Sequence, residues 1–151
     1  MTDAPHTGGC QCGAIRYKIS GELLDSHICH CRMCQKAFGS FFAPFVGTKP
    51  DGFEWTRGKP AIYKSSTYAE RGFCPSCGTP LTYRVIERDK ISVSTGSLDE
   101  PERVRPGRQY GVEGRMPWFH ELADLPGTCT EDDIPSETMA AIKSNQHPDH
   151  D

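Results

Sequence analysis

The chain has 151 residues, with 20 acidic and 17 basic side chains and a formal charge of −3. That length suits one domain, and with no basic stripe a nucleic-acid partner is not expected. Only 36% of residues are hydrophobic while Gly (15) and Pro (12) are plentiful, which favours short strands and turns over long helices.

Residues 1–7 are expected to be flexible, residues 8–127 to form the domain, and residues 128–151 to be a polar tail. Met1–His6 carries no apolar leader, and no stretch reaches the roughly 20 apolar residues that cross a bilayer. A soluble, cytoplasmic protein without a membrane partner is therefore expected. The ordered part opens on Gly8-Gly9-Cys10-Gln11-Cys12-Gly13, whose glycines permit a tight turn around an ion. Ile15, Tyr17 and Ile19 then alternate with Arg16, Lys18 and Ser20, the period of a half-buried strand. After Cys29-His30-Cys31-Arg32-Met33-Cys34, residues 35–38 suit one helical turn closed by Gly39. Phe41–Val46 reads as a strand that Pro44 assigns to an edge or a bulge. Short alternating pieces follow at Phe53–Trp55, Ala61–Lys64, Leu81–Val85 and Ile91–Thr95. Strands of this length with frequent turns indicate an antiparallel β domain. Gly96–Pro106 reads as loop, and the acidic run at Glu131–Asp133 starts a short helix through Met139 and Ile142. His147 and His150 fall in a solvated tail.

Seven of the eight cysteines form three clusters: Cys10/Cys12, Cys29/Cys31/Cys34 and Cys74/Cys77. Without an export leader, thiols in a reducing compartment stay free, so metal ligation is favoured over disulfides. Cys74-Pro75-Ser76-Cys77-Gly78 is a knuckle whose turn directs two sulfurs to one ion. Joined by Cys10 and Cys12, it completes a four-sulfur site that ties the N-terminal strand to the middle of the chain. A redox role for Cys74/Cys77 would want a βαβ context, and no crossover helix is read here. Cys29, Cys31 and Cys34 remain as a set of three. Their fourth ligand is His27, His30, Cys129, or a water or substrate. An open fourth position marks a catalytic zinc site, and a thiol that enters it is deprotonated. Addition of that thiol to an electrophilic carbon, or the reverse carbon–sulfur cleavage, is the chemistry that follows. Arg32, Lys36 and Arg71 are the candidate cations for an anionic thiol.

The order and spacing of these motifs resemble the glutathione-dependent formaldehyde-activating enzyme family, which includes the centromere protein V-like proteins. The resemblance rests on Gly9–Gly13, Cys29–Cys34 with Gly39-Ser40, Arg71–Gly78, Gly96–Asp99, Pro117-Trp118 and Asp124–Pro126. It implies a β-tent of two packed sheets pinned by zinc, in a single domain with little helix. It implies two zinc ions per chain: a structural one on Cys10, Cys12, Cys74 and Cys77, and a catalytic one on Cys29, Cys31 and Cys34. It also implies glutathione as the thiol and formaldehyde as the electrophile. In place of the family's His–aliphatic–aromatic stretch this chain has Gln109-Tyr110-Gly111. A non-catalytic zinc module that binds a protein partner is the competing reading of the same fold.

Overall fold

The computed structural model describes residues 4–150; of the segment expected to be flexible, residues 1–3 lie outside the described residues, as does Asp151. Within these residues ten strands form two sheets. The small sheet has the order β1 (His6–Gly9), β2 (Arg16–Ile19), β5 (Phe53–Arg57), all antiparallel. The large sheet runs β10 (Arg108–Tyr110), β3 (Leu24–Cys29), β4 (Ala43–Thr48), β9 (Ile91–Ser94), β8 (Pro80–Val85), β7 (Ala69–Phe73), β6 (Ala61–Lys64). This is the mainly β, two-sheet, single-domain fold expected, with three short α-helices among the described residues: α1 (Arg32–Phe38), α2 (Thr130–Asp133) and α3 (Ser136–Ala141). No helix among the described residues is long and apolar enough to cross a membrane.

Several details depart from the sequence reading. β1 begins at His6, so His6 and Thr7 are paired strand rather than flexible chain. β10 joins β3 in parallel, so the large sheet is mixed. Pro44 lies in an internal strand; its missing N–H is tolerated because pairing of β4 with β9 starts only at Phe45. Arg16, expected on the solvent side, is 2% exposed. Its guanidinium donates to both carboxylate oxygens of Asp99, at 2.8 and 2.6 Å, and Thr7 Oγ1 donates to the same carboxylate at 2.6 Å. The Gly96–Asp99 segment is thus no surface loop: Ser97 and Leu98 are buried, and the Ser97 hydroxyl meets that of Tyr17 at 2.8 Å.

Two apolar clusters result. Tyr17 and Ile19 of the small sheet pack with Val46, Leu81 and Val93 of the large one, and Cys10 and Cys74 belong to this cluster. Phe45 belongs to the second, with Cys29, Cys34 and Ala43. Neighbouring strand residues point to opposite faces, so the step from Val46 to Phe45 separates the scaffold core from the second cysteine group. The C-terminal segment returns to the first turn: His147 N donates to the Gln11 carbonyl at 2.7 Å. The His147 ring fills the space a side chain at Gly13 would need, and Arg57 Nη1 bridges the Gly13 carbonyl and His147 Nε2 at 3.0 and 3.2 Å. His147 is therefore docked rather than solvated.

The buried Arg16–Asp99 pair yields a stability prediction. Burial raises the Asp99 pKa, but the hydrogen bonds from Arg16 and Thr7 outweigh it and hold the carboxyl below its usual range. A lowered folded-state pKa contributes stability above the unfolded value of about 3.9, and that contribution is lost as pH falls through the folded value. Asp99→Asn, which takes the bidentate carboxylate away from a buried guanidinium, should cost up to about 3–5 kcal/mol near neutral pH. Urea unfolding followed against pH should show this loss, and the variant should lack the acid-side decline due to Asp99.

Candidate metal centres and the thiol-lined cavity

The first centre is built where two tight turns meet. Cys10 and Cys12 lie in the turn between β1 and β2; Cys74 and Cys77 lie between β7 and β8. Gly13 (φ 75°) and Gly78 (φ 80°) take left-handed backbone that a Cβ would resist, one in each turn. The Gly78 N–H closes its turn onto the Cys74 carbonyl at 2.9 Å. All four sulfurs lie within 4.8 Å of one another, with Cys10 to Cys12 at 3.6 Å and Cys12 to Cys74 at 3.8 Å. A disulfide would need about 2.05 Å. A regular tetrahedron with Zn–S bonds of about 2.3 Å has edges of about 3.8 Å. The donor set therefore fits zinc, and the cysteines are free thiols. Burial raises the Cys10 thiol to about 12. Cys77 moves the other way, to about 6: burial opposes ionisation, but the Thr79 hydroxyl, at 3.2 Å, and nearby backbone amides overcome it.

The second centre lies at the end of β3 and the start of α1. Cys29 ends the strand, Cys31 is the helix N-cap, and Cys34 is in the first turn and a half. Gly39, at φ 60°, closes the helix in the left-handed region, as read from the sequence. The three sulfurs lie within 4.8 Å of one another, and no fourth His, Cys, Asp or Glu joins them among the described residues. Of the residues considered for that place, His30 is fully buried, its Nε2 2.9 Å from Gln109 Oε1 and its ring edge-on to Phe119. His27 Nδ1 lies 3.2 Å from the Asp25 carbonyl, and Cys129 is exposed at the start of α2.

Arg71, on β7, is 8% exposed and has no carboxylate partner among the described residues. Its Nη2 donates to Cys34 Sγ at 3.3 Å, its guanidinium carbon lies 5.0 Å from the centre of the Tyr83 ring, and its Nη1 is buried without a hydrogen-bond partner. A buried cation needs a counter-charge. Three thiolates around a divalent ion carry −1 in total, so the guanidinium and such a centre neutralise one another. In the free-thiol state, Cys34 is drawn down to about 5 by a hydrogen bond from Cys29 and, after that, by Arg71, against the pull of burial. The Cys29 thiol is pushed up through the same shared proton and by burial. The chemistry of this donor set also fits zinc.

A cavity of about 360 Å³ is lined by all three cysteines. Arg71, Arg88, Lys90 and Arg108 supply positive charge to it, and Asp25 is its one carboxylate among the described residues. Asp25 accepts from Lys90 Nζ at 2.8 Å and pairs with Arg108 Nε at 2.9 Å, from a bulged position with φ 38°. Burial raises the Asp25 carboxyl, but the hydrogen bond from Lys90 and the nearby charges, those of Lys90 and Arg108 among them, hold it below its usual range. Arg71 is the one candidate cation from the sequence that reaches the thiols. Arg32 and Lys36 instead line a second cavity of about 510 Å³ that also touches Arg71. Lys90 and Arg108 escaped sequence reading because the first follows a turn and the second sits in an apparent loop. Only the parallel β10–β3 pairing, which sets Arg108 opposite His27 and Tyr110 opposite Cys29, brings the latter to the site. Gln109-Tyr110-Gly111 forms part of this wall: Gln109 holds His30, Tyr110 lines the cavity, and a Cβ on Gly111 would meet Cys31 N at 2.9 Å.

A sequence model described as "Glutathione-dependent formaldehyde-activating enzyme" matches residues 5–112. An uncharacterized lyase of Schizosaccharomyces pombe (strain 972 / ATCC 24843) is 40% identical over 80 residues, 52% of this chain and 56% of the relative. The alignment thus spans little more than half of that protein. Among solved structures, a Rhodobacter sphaeroides protein, a Northeast Structural Genomics target, aligns with TM-score 0.54 at 25% identity, covering 68% of this chain and 98% of its own.

The two centres should respond differently to cysteine replacement. A structural zinc is worth on the order of 10–16 kcal/mol of apparent binding free energy in small fingers, comparable with the roughly 5–15 kcal/mol net stability of a domain. Cys74→Ser, or removal of metal by a strong chelator, should therefore abolish the cooperative unfolding transition. Circular dichroism through a thermal scan reads this directly. Cys31→Ser should keep the transition.

Proposed function

The chain belongs to the glutathione-dependent formaldehyde-activating enzyme family, and from that premise we propose that it is a zinc-dependent carbon–sulfur lyase. It joins or splits a small thiol, glutathione foremost, and an electrophilic carbon such as formaldehyde. The observation that carries this reading is the three-sulfur centre: it has no fourth protein ligand among the described residues and lines a cation-rich cavity. The lyase name of the Schizosaccharomyces pombe relative is in keeping with it.

In this reading Cys10, Cys12, Cys74 and Cys77 hold a structural zinc, and Cys29, Cys31 and Cys34 hold a catalytic one. Zinc bound to the three-cysteine set would lower the pKa of an arriving thiol so that it is a thiolate at neutral pH. The chain's own residues do the rest. Lys90 and Arg108, already oriented by Asp25, bind the carboxylates of the thiol substrate. Arg71 holds Cys34 and compensates the charge of the three thiolates. Tyr83 and Phe45, in contact with each other, supply apolar wall and limit water. In the forward direction the thiol sulfur bonds to the carbonyl carbon, the carbonyl π pair moves to oxygen, and the proton given up by the thiol ends on that oxygen. Nothing is oxidised or reduced.

Metal analysis of the purified chain should give two zinc ions, and cobalt-substituted protein should change its absorption on addition of glutathione. One inert ion and no thiol response would remove the lyase reading and leave a zinc module. Cys31→Ser should lose the thiol response and glutathione-dependent formaldehyde consumption while staying folded. Arg71→Met should weaken zinc affinity at the three-cysteine centre, or turnover, by about 10–100-fold, the usual cost of losing a group that holds a metal ligand. Competitive titration with a zinc chelator measures the first effect.

A further inference from the structure

None of the clustered cysteines lines the second cavity. It is the larger of the two, at about 510 Å³ against about 360 Å³, and it adjoins the thiol-lined cavity across Met33, Ser65 and Arg71, which line both. Among the described residues no carboxylate lines it. Arg32 and Lys36, exposed on α1, supply its positive charge, while Phe38, Phe73 and Pro80 supply apolar surface. Arg32 makes one weak bond, to Gln35 Oε1 at 3.4 Å. Arg71, at the seam, still has a donor unspent in Nη1.

Formaldehyde has two heavy atoms and no charge. It needs neither this volume nor these cations. Pockets of about 300–1,000 Å³ that combine apolar walls with a few placed polar groups are the usual seats of organic ligands. Arg32 and Lys36, with Arg71 at the seam and no acid among the described lining residues, select an anion, and the aromatic and proline surface selects an apolar body beside it.

We propose that the second cavity seats the non-reacting body of the electrophile, and that this electrophile is an amphipathic carbonyl compound: a carboxylate on an aromatic or branched apolar frame. The inference rests on the lyase reading and deepens it. The carboxylate binds Arg32 and Lys36, the frame packs on Phe38 and Phe73, and the carbonyl reaches past Met33 toward the thiol. Met33, unbranched and 56% exposed, is a wall that adapts to the frame. The step balances as before: the carbon–sulfur bond forms, the carbonyl π pair goes to oxygen, and the thiol proton follows it.

The test uses the full zinc-loaded chain and two probes. 4-Methylbenzoate has the carboxylate and the frame but cannot react, and its binding is followed by calorimetric titration. 4-Formylbenzoate carries the reactive carbonyl, and its glutathione-dependent loss is followed by absorbance against formaldehyde. Saturable binding of 4-methylbenzoate is expected, weakened about tenfold or more in Arg32→Ala/Lys36→Ala, the equivalent of about 1.4 kcal/mol or more. The kcat/KM for 4-formylbenzoate should exceed that for formaldehyde, and its KM should rise in the double variant. Both replaced side chains are exposed, and zinc content and circular dichroism verify that the variant is folded. Absence of binding, or equal binding in the variant, overturns the inference; if formaldehyde is still consumed with glutathione, the lyase reading stands. Variant-sensitive binding with no glutathione-dependent turnover of either aldehyde overturns the lyase reading and the electrophile assignment with it.

Discussion

The four-sulfur cluster is the constraint on which the remaining structure depends. It joins a turn of the small sheet to a turn of the large one, far apart in sequence, and two of its cysteines are inside the scaffold core. Each sheet alone presents an apolar face with nothing to cover it, and a three-stranded sheet has little stability by itself. Sulfur spacing of 3.6–3.8 Å is too long for covalent bonds between the thiols and right for tetrahedral ligation. The Arg16–Asp99 pair acts in the same place by other means, holding β2 and, through Thr7, β1 to the segment after β9.

With the scaffold held in this way, the second centre need not carry the fold. Its cysteines belong to a separate apolar cluster, on a strand end and a helix start. This separation permits a cluster of three cysteines in a domain that does not depend on it. Arg71 connects the two regions, since β7 carries Arg71 and leads directly into Cys74. The same strand therefore places a scaffold sulfur and the guanidinium that faces Cys34.

Much of this was legible in the sequence because cysteine spacing is a strong signal. Cys74–Gly78 and the Cys29–Cys34 run announce their geometry locally, and Gly39 announces the end of α1. The alternation of Ile15, Tyr17 and Ile19 gave one face of β2 correctly. It failed for Arg16, because a long-range partner at Asp99 overrides the polarity rule. Lys90 and Arg108 were not legible, since a cation lining a cavity looks like any solvated one until strand pairing is known. Arg32 and Lys36 were drawn to the thiols by nearness along the chain, but on α1 they line the other cavity. The docking of His147 carried no local signal either.

The contact between Gly13 and His147 makes two distant positions share one fate. The imidazole occupies the volume that any side chain at position 13 would claim, while Gly13 also supplies the positive φ its turn requires. Position 13 is thereby restricted twice: release of the far segment would free the volume but not the backbone, so a larger residue there needs both a changed partner at 147 and tolerance of left-handed φ. The constraint ties a residue inside the stretch that the family holds in common to one that lies beyond it.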